Sequence, residues 1–125
     1  MKLKTYSQNN IKDKKVILRA VLDVKYKEEN GELVPRDDTR LRVIIPTVED
    51  LLQQGAKKVI LMSYLGRPGG EFKKEFSMDG VAKRLSELMG RDVIKLDDCI
   101  GGTVREQIDN ADEGSVLLLE NVRFH

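Results

Sequence analysis

Three arginines in this sequence have the type and spacing to receive a small anion. Arg40 opens a helical pattern capped by Asp38 or Thr39. Arg67 lies in Ser63-Tyr64-Leu65-Gly66-Arg67-Pro68-Gly69-Gly70, directly after one apolar run, and Arg123 lies in Asn121-Val122-Arg123-Phe124-His125, directly after another. A guanidinium carries a rigid fork of N–H donors that fits the oxygens of phosphate or carboxylate, and a helix N-terminus adds its own preference for negative charge. Ligands of open parallel α/β sheets bind at the carboxyl ends of the strands, which is where two of these residues fall. The competing reading makes them ordinary surface arginines of a highly charged chain, because a fold alone assigns no chemistry.

Other chemistry-bearing residues point less far. Gly66-x-x-Gly69-Gly70 has neither the spacing of a dinucleotide loop nor that of a P-loop. Asp97-Asp98 could meet Mg²⁺, but adjacent carboxylates at a strand end more often form a cap and a solvated charge. Cys99 has no His near it in sequence and reads as a packed, inert thiol. The only histidine, His125, ends the chain, and an imidazole there is a poor general base unless something holds it.

The elements that must position the arginines are legible as apolar periodicity. Val16-Ile17-Leu18, Val59-Ile60-Leu61-Met62, Val93-Ile94 with Leu96, and Val116-Leu117-Leu118-Leu119 read as strands buried on both faces, the mark of a parallel sheet covered by helices. Leu41, Ile44, Ile45, Val48, Leu51 and Leu52 predict a first helix that stops at Gly55 and kinks or restarts at Pro46. A second helix, N-capped by Ser77, places Val81, Ala82, Leu85, Leu88 and Met89 on one face and ends at Gly90. A third spans about residues 103–111, with Val104 and Ile108 inward. Between Lys25 and Val34 an Asn30-Gly31 pair predicts a small β-hairpin. The expected fold is α/β: a Rossmann-like parallel sheet of about four strands with alternating helices, plus that hairpin, in one domain over residues 1–125.

Composition narrows the function classes. Lys and Arg number 22 against 21 Asp and Glu, a net charge of +1, so a generic nucleic-acid binder is excluded as a first expectation. With 40% apolar and 34% charged residues the chain can bury an ordinary core beneath a mixed-sign surface. A single cysteine fits a reducing, cytoplasmic setting, and no run approaches the roughly 18 apolar residues of a membrane span.

Beyond these readings, the chain resembles the N-terminal part of phosphoglycerate kinase. The resemblance rests on Val16-Ile17-Leu18-Arg19, Asp37-Asp38-Thr39-Arg40-Leu41-Arg42 with Pro46-Thr47, Gly55-Ala56-Lys57 leading into Val59 to Ser63, Leu65-Gly66-Arg67-Pro68, Phe76-Ser77 with the helix after it, and Leu117-Leu118-Leu119-Glu120-Asn121-Val122-Arg123-Phe124-His125. It covers essentially the whole chain. The resemblance implies phosphoryl transfer between 1,3-bisphosphoglycerate and ADP in glycolysis, with an N-terminal domain that holds phosphoglycerate and a C-terminal domain that holds Mg-ADP or Mg-ATP. It also implies that Arg40 stabilises the transferring phosphoryl group and that Arg67 and Arg123 bind the substrate phosphate. Asp23 and Tyr64 fall at further substrate-contacting positions.

The sequence departs from the family at that site. Val21 stands where the family has Asp, Asp23 where it has Asn, and Tyr64 where Ser-His-Leu-Gly-Arg-Pro has His; the hairpin is a few residues longer than usual. Val21 cannot accept a hydrogen bond from a substrate hydroxyl, a loss of about 1–3 kcal/mol, so weak binding of 3-phosphoglycerate is expected. With the nucleotide domain outside this chain, no cofactor is expected on it, and the chain alone is expected to be inactive. The alternative is a non-catalytic α/β scaffold or partner-binding module of the same descent, with self-association or pairing with a complementary fragment through an open sheet edge.

Overall fold

The structure, a computed structural model, describes residues 11–124. Residues 1–10 and His125, the histidine considered above as a general base, lie outside the described residues. In chain order the elements are β1 (Lys15–Arg19), β2 (Tyr26–Glu29), β3 (Glu32–Pro35), α1 (Thr39–Gln53), β4 (Lys58–Met62), α2 (Asp79–Met89), β5 (Val93–Lys95), α3 (Gly102–Asn110) and β6 (Ser115–Leu118). Short 3-10 turns occupy Lys74–Phe76 and Val122–Phe124.

Strands β1, β4, β6 and β5 form a parallel sheet in that spatial order, and β2 and β3 form the separate antiparallel hairpin. Asn30 and Gly31 both adopt positive φ, 54° and 81°, the conformation that a tight two-residue hairpin turn demands. One face of the sheet, with Val59, Leu61, Val116 and Leu118, packs against Leu41, Val48 and Leu51 of α1 and Val81, Ala82 and Leu85 of α2. The other, with Ile60 and Leu117, packs against Val104 of α3. Each fully buried aliphatic side chain contributes about 1.5–3 kcal/mol, so the central strands carry much of the fold's stability.

Three sequence expectations need correction. Only β4 and β6 are buried on both faces. Edge strands β1 and β5 leave Ile17 63% and Ile94 41% exposed, because among the described residues α3 covers the middle of its face but not the flanks. Helix α1 runs unbroken from Thr39 to Gln53 across Pro46, with no restart. Pro46 lies on the exposed face, where water can take the carbonyl it leaves unbonded. Helix α2 begins at Asp79 rather than at Ser77, although the Ser77 hydroxyl still accepts the Asp79 N–H at 3.3 Å. The stop at Gly90 is as expected, in the left-handed region at φ 67°.

Lys58 is a polar residue inside a buried strand, and its surroundings explain it. Its Nζ donates to the carbonyls of Ile108 at 2.5 Å and Asp109 at 3.1 Å, placing a cation at the C-terminal end of α3. Among the described residues no helix is long and apolar enough to cross a membrane.

Candidate anion-binding site

The site forms where the chain leaves β1, β4 and β6. After β1 the chain continues with alternating exposure: Ala20, Leu22 and Val24 are buried, while Val21 stays 61% exposed. Buried Leu22 anchors this segment, and its N–H donates to the Ser63 hydroxyl at 3.0 Å, stitching the exit of β1 to the exit of β4. That fixes Asp23. Its Oδ1 accepts the Gly66 N–H at 2.9 Å, and its backbone carbonyl accepts Arg40 Nη1 at 2.6 Å.

Arg40 stands in the first turn of α1, whose start is organised by two carboxylates. Asp38, one of the two expected residues, is the N-cap but makes no side-chain capping bond; Asp37 before it accepts the Thr39 N–H at 2.9 Å and its hydroxyl at 2.6 Å, and these hydrogen bonds hold the Asp37 carboxyl below the usual range. Asp38 bridges Arg42 and Arg84, at 2.8 and 2.7 Å, and hydrogen bonds from both guanidiniums hold its carboxyl at about 2. With both neighbours engaged, Arg40 forms no ion pair among the described residues.

The loop after β4 needs glycine at position 66 for two reasons. Its φ is +63°, and a Cβ there would run into the Phe76 ring. The Gly66 carbonyl accepts Arg123 Nη1 at 3.0 Å, and the Arg123 guanidinium lies over the Tyr64 ring with its carbon 3.7 Å from the centroid. A continuous path therefore runs from Arg40 through Asp23 and Gly66 to Arg123. Arg67 follows Gly66 on the same loop and makes no hydrogen bond or ion pair with a described residue. An open groove beside Asp23 is lined by Arg36, Arg40, Leu65, Gly66 and Phe76, whereas Tyr64, Arg67 and Arg123 do not line it.

Sequence reasoning missed the residues that hold this loop in place. Asn121 is fully buried; its Nδ2 donates to the carbonyls of Leu65 at 2.6 Å and Phe76 at 2.9 Å, and its Oδ1 accepts the Arg123 N–H at 2.9 Å. Glu120, 2% exposed, accepts from the Ser77 hydroxyl, the Met78 and Asn121 N–H groups and Lys95 Nζ, all within 2.7–2.8 Å. Burial pulls the Lys95 ammonium down, but hydrogen bonds to Glu120 and Asp79 outweigh it and hold Lys95 above its ordinary value. The available signal was a Glu-Asn pair directly after a run of buried aliphatics, where polar residues persist only if hydrogen-bonded.

The weaker candidates stay outside this constellation. An Asp97 oxygen accepts from Gln107, an Asp98 oxygen accepts the Cys99 N–H, and burial together with Asp98 pushes the Cys99 thiol up, toward its unreactive form. Among the described residues no group of three His, Cys, Asp or Glu side chains is placed to hold a metal ion.

Fold and site together define an α/β domain with an open parallel sheet, at whose carboxyl end Arg40 and Arg123 are linked through Asp23 and Gly66. The sequence profile of the phosphoglycerate kinase family matches residues 6–125, and the chain belongs to that family. It is 46% identical over 125 residues to a phosphoglycerate kinase of Borrelia hermsii, covering all of this chain and 31% of that protein. It is 49% identical over 116 residues to one of Dictyoglomus turgidum, covering 93% of this chain and 28% of that protein. Among solved structures, phosphoglycerate kinase from Pyrococcus horikoshii superimposes with a TM-score of 0.77 at 31% identity, over 93% of this chain and 27% of the other. The Coxiella burnetii enzyme gives 0.72 at 34% identity, over the same shares. The chain thus spans less than a third of the length of these relatives.

Proposed function

We propose that this chain forms the phosphoglycerate-binding side of a phosphoglycerate kinase, with Arg40, Arg67 and Arg123 gripping the anionic ligand. The observation that carries this reading is the bonded path from Arg40 through Asp23 and Gly66 to Arg123. Phosphoryl transfer asks little covalent chemistry of a protein and much positioning and charge neutralisation, which guanidiniums at a sheet mouth supply. Arg40 would face the transferring phosphoryl group, while Arg67 and Arg123 hold the substrate phosphate. Mg-nucleotide, when bound, supplies the second substrate of the transfer. By resemblance to the family, the nucleotide would be held by the part of a family-length protein outside this segment. The chain by itself is accordingly a weak 3-phosphoglycerate binder without catalytic turnover, in a cytoplasmic setting.

Amide-resolved NMR of the chain with millimolar 3-phosphoglycerate tests this reading. Shifts confined to Arg40, Gly66, Arg67 and the segment Asn121-Val122-Arg123 are expected, and Arg40→Ala should weaken binding by about 1.5–3 kcal/mol. A dispersed spectrum that does not respond to ligand would sink it. Exposed Val21 and the partly uncovered Ile17 and Ile94 support the second reading, a non-catalytic module that self-associates or pairs with a complementary chain. Light scattering separates the two, since a strict monomer at high concentration weakens the second.

A further inference from the structure

The geometry points to Tyr64 as the positioning residue of Arg123, acting on the anion through that guanidinium rather than by touching the ligand; this rests on the phosphoglycerate-site reading. Arg123 is held at three points. Its own N–H is bonded to Asn121 Oδ1 at 2.9 Å, its Nη1 to the Gly66 carbonyl at 3.0 Å, and its guanidinium carbon lies 3.7 Å from the Tyr64 ring centroid. Tyr64 is itself braced at both sides of its peptide. The Val122 N–H donates to the Ser63 carbonyl at 3.2 Å, and the Ser63 hydroxyl contacts the Tyr64 carbonyl at 3.3 Å. The ring and the arginine therefore come from two segments already bonded to each other.

An exposed arginine otherwise samples many rotamers, and ordering it subtracts from whatever affinity its donors supply. The Tyr64 face and the Gly66 carbonyl fix the plane of the guanidinium before a ligand arrives. No hydrogen bond from the Tyr64 hydroxyl to a described residue accompanies the stack, so the ring, not the phenol, does the holding. An imidazole, expected at this position from the family pattern, offers a smaller face. Tyr64 thus reassigns the position from ligand contact to arginine support.

The experiment uses the full chain, its Tyr64→Leu and Tyr64→Phe variants, and Arg123→Ala alone and combined with Tyr64→Leu. Affinity for 3-phosphoglycerate and for inorganic phosphate is read together with the Arg123 side-chain NMR signals. Tyr64→Leu should weaken binding about two- to five-fold and abolish the ring-current displacement of the Arg123 signals, and Tyr64→Phe should restore both. In the Arg123→Ala background, Tyr64→Leu should have no further effect. Equal weakening in Tyr64→Phe and Tyr64→Leu would mean that the hydroxyl touches ligand and overturns the proposal, as would Arg123 signals that ignore the loss of the ring. If the unmodified chain binds neither probe, the site reading falls and the positioning role with it, while an intact ring-current displacement marks the stack as architecture alone.

Discussion

Asn121 Nδ2 donates to the Leu65 carbonyl at 2.6 Å across 56 residues of sequence, from the exit of β6 to the exit of β4. The same amide reaches Phe76, and its oxygen takes the Arg123 N–H, so one buried side chain fixes both arginine-bearing segments. The loop that carries Gly66 and Arg67 is thus held by this residue as well as by its own glycine at position 66.

Asn121→Ala should therefore loosen the site and the fold at once. Three backbone groups lose their partner, one in a buried place and two in partly buried ones, where each unsatisfied group costs up to about 1–3 kcal/mol before water relieves part of the loss. A net destabilisation of about 2–3 kcal/mol in urea unfolding is expected. A change below about 0.5 kcal/mol would show that the loop is held by other contacts.

Glu120→Gln removes the charge that compensates Lys95 in the interior. Glu120 is the more buried partner of a pair 2.8 Å apart, and Lys95 keeps only its contact with the exposed Asp79 at 3.0 Å. Breaking a buried pair from one side costs more than replacing both partners, so a loss of about 2–4 kcal/mol is expected. Adding Lys95→Met to Glu120→Gln should recover part of that loss, and a double variant no more stable than the single one would contradict the pairing.

The hairpin docks on α2 through a close approach at Gly80, where an added Cβ would lie 2.6 Å from the Leu33 carbonyl and 2.7 Å from the Tyr26 ring. Gly80→Ala should cost about 1–3 kcal/mol through displacement of the hairpin, despite the better helix propensity of alanine. Tyr26 completes the dock, donating to the Ser77 carbonyl at 2.6 Å and accepting the Val81 N–H at 3.2 Å. Burial raises its phenol well above the ordinary value of 10.0. Because the folded value is the higher one, this contribution is complete below pH 10 and is lost as pH rises beyond it. Tyr26→Phe should remove about 1–2 kcal/mol at neutral pH together with that alkaline slope, both readable by circular dichroism.

Acid should weaken the start of α1 and the Lys15–Asp109 contact between β1 and α3. Asp38 titrates at about 2 against an ordinary 3.8, and Asp37 and Asp109 are also held low by hydrogen bonds from Thr39 and Lys15. All three folded values lie below the unfolded ones, so their stabilisation is present above about pH 4 and is withdrawn as pH falls below 3.8, for Asp38 through about 2. Asp38→Asn should flatten the urea midpoint across that window. A midpoint that climbs on acidification would refute the assignment.

Much of the architecture was legible because central parallel strands and amphipathic helices write their burial into local periodicity. Val59 to Met62 and Val116 to Leu119 could be read as strands, Gly90 as a helix stop and Asn30-Gly31 as a turn, since each depends on neighbours a few residues away. The arginines were legible as residue types after strands, and the family pattern named their places.

Contacts across the fold were not legible in the same way. Periodicity says that a strand has two faces, but not that β6 lies between β4 and β5, nor that α3 would leave Ile17 and Ile94 half uncovered. Asp37 and Asp38 are indistinguishable as sequence. Arg84 of α2, reaching across to Asp38 at 2.7 Å, engages one while the Thr39 hydroxyl and N–H engage the other. Likewise Glu120, Asn121 and Tyr64 gain their roles from partners 25–59 positions away, as the Lys95, Leu65 and Arg123 contacts show. By itself the sequence determined the elements, their order and the kind of charge at the mouth of the sheet. Only the tertiary structure decided which buried polar group met which backbone carbonyl, because hydrogen bonds are directional and become specific only once packing has set distance and angle.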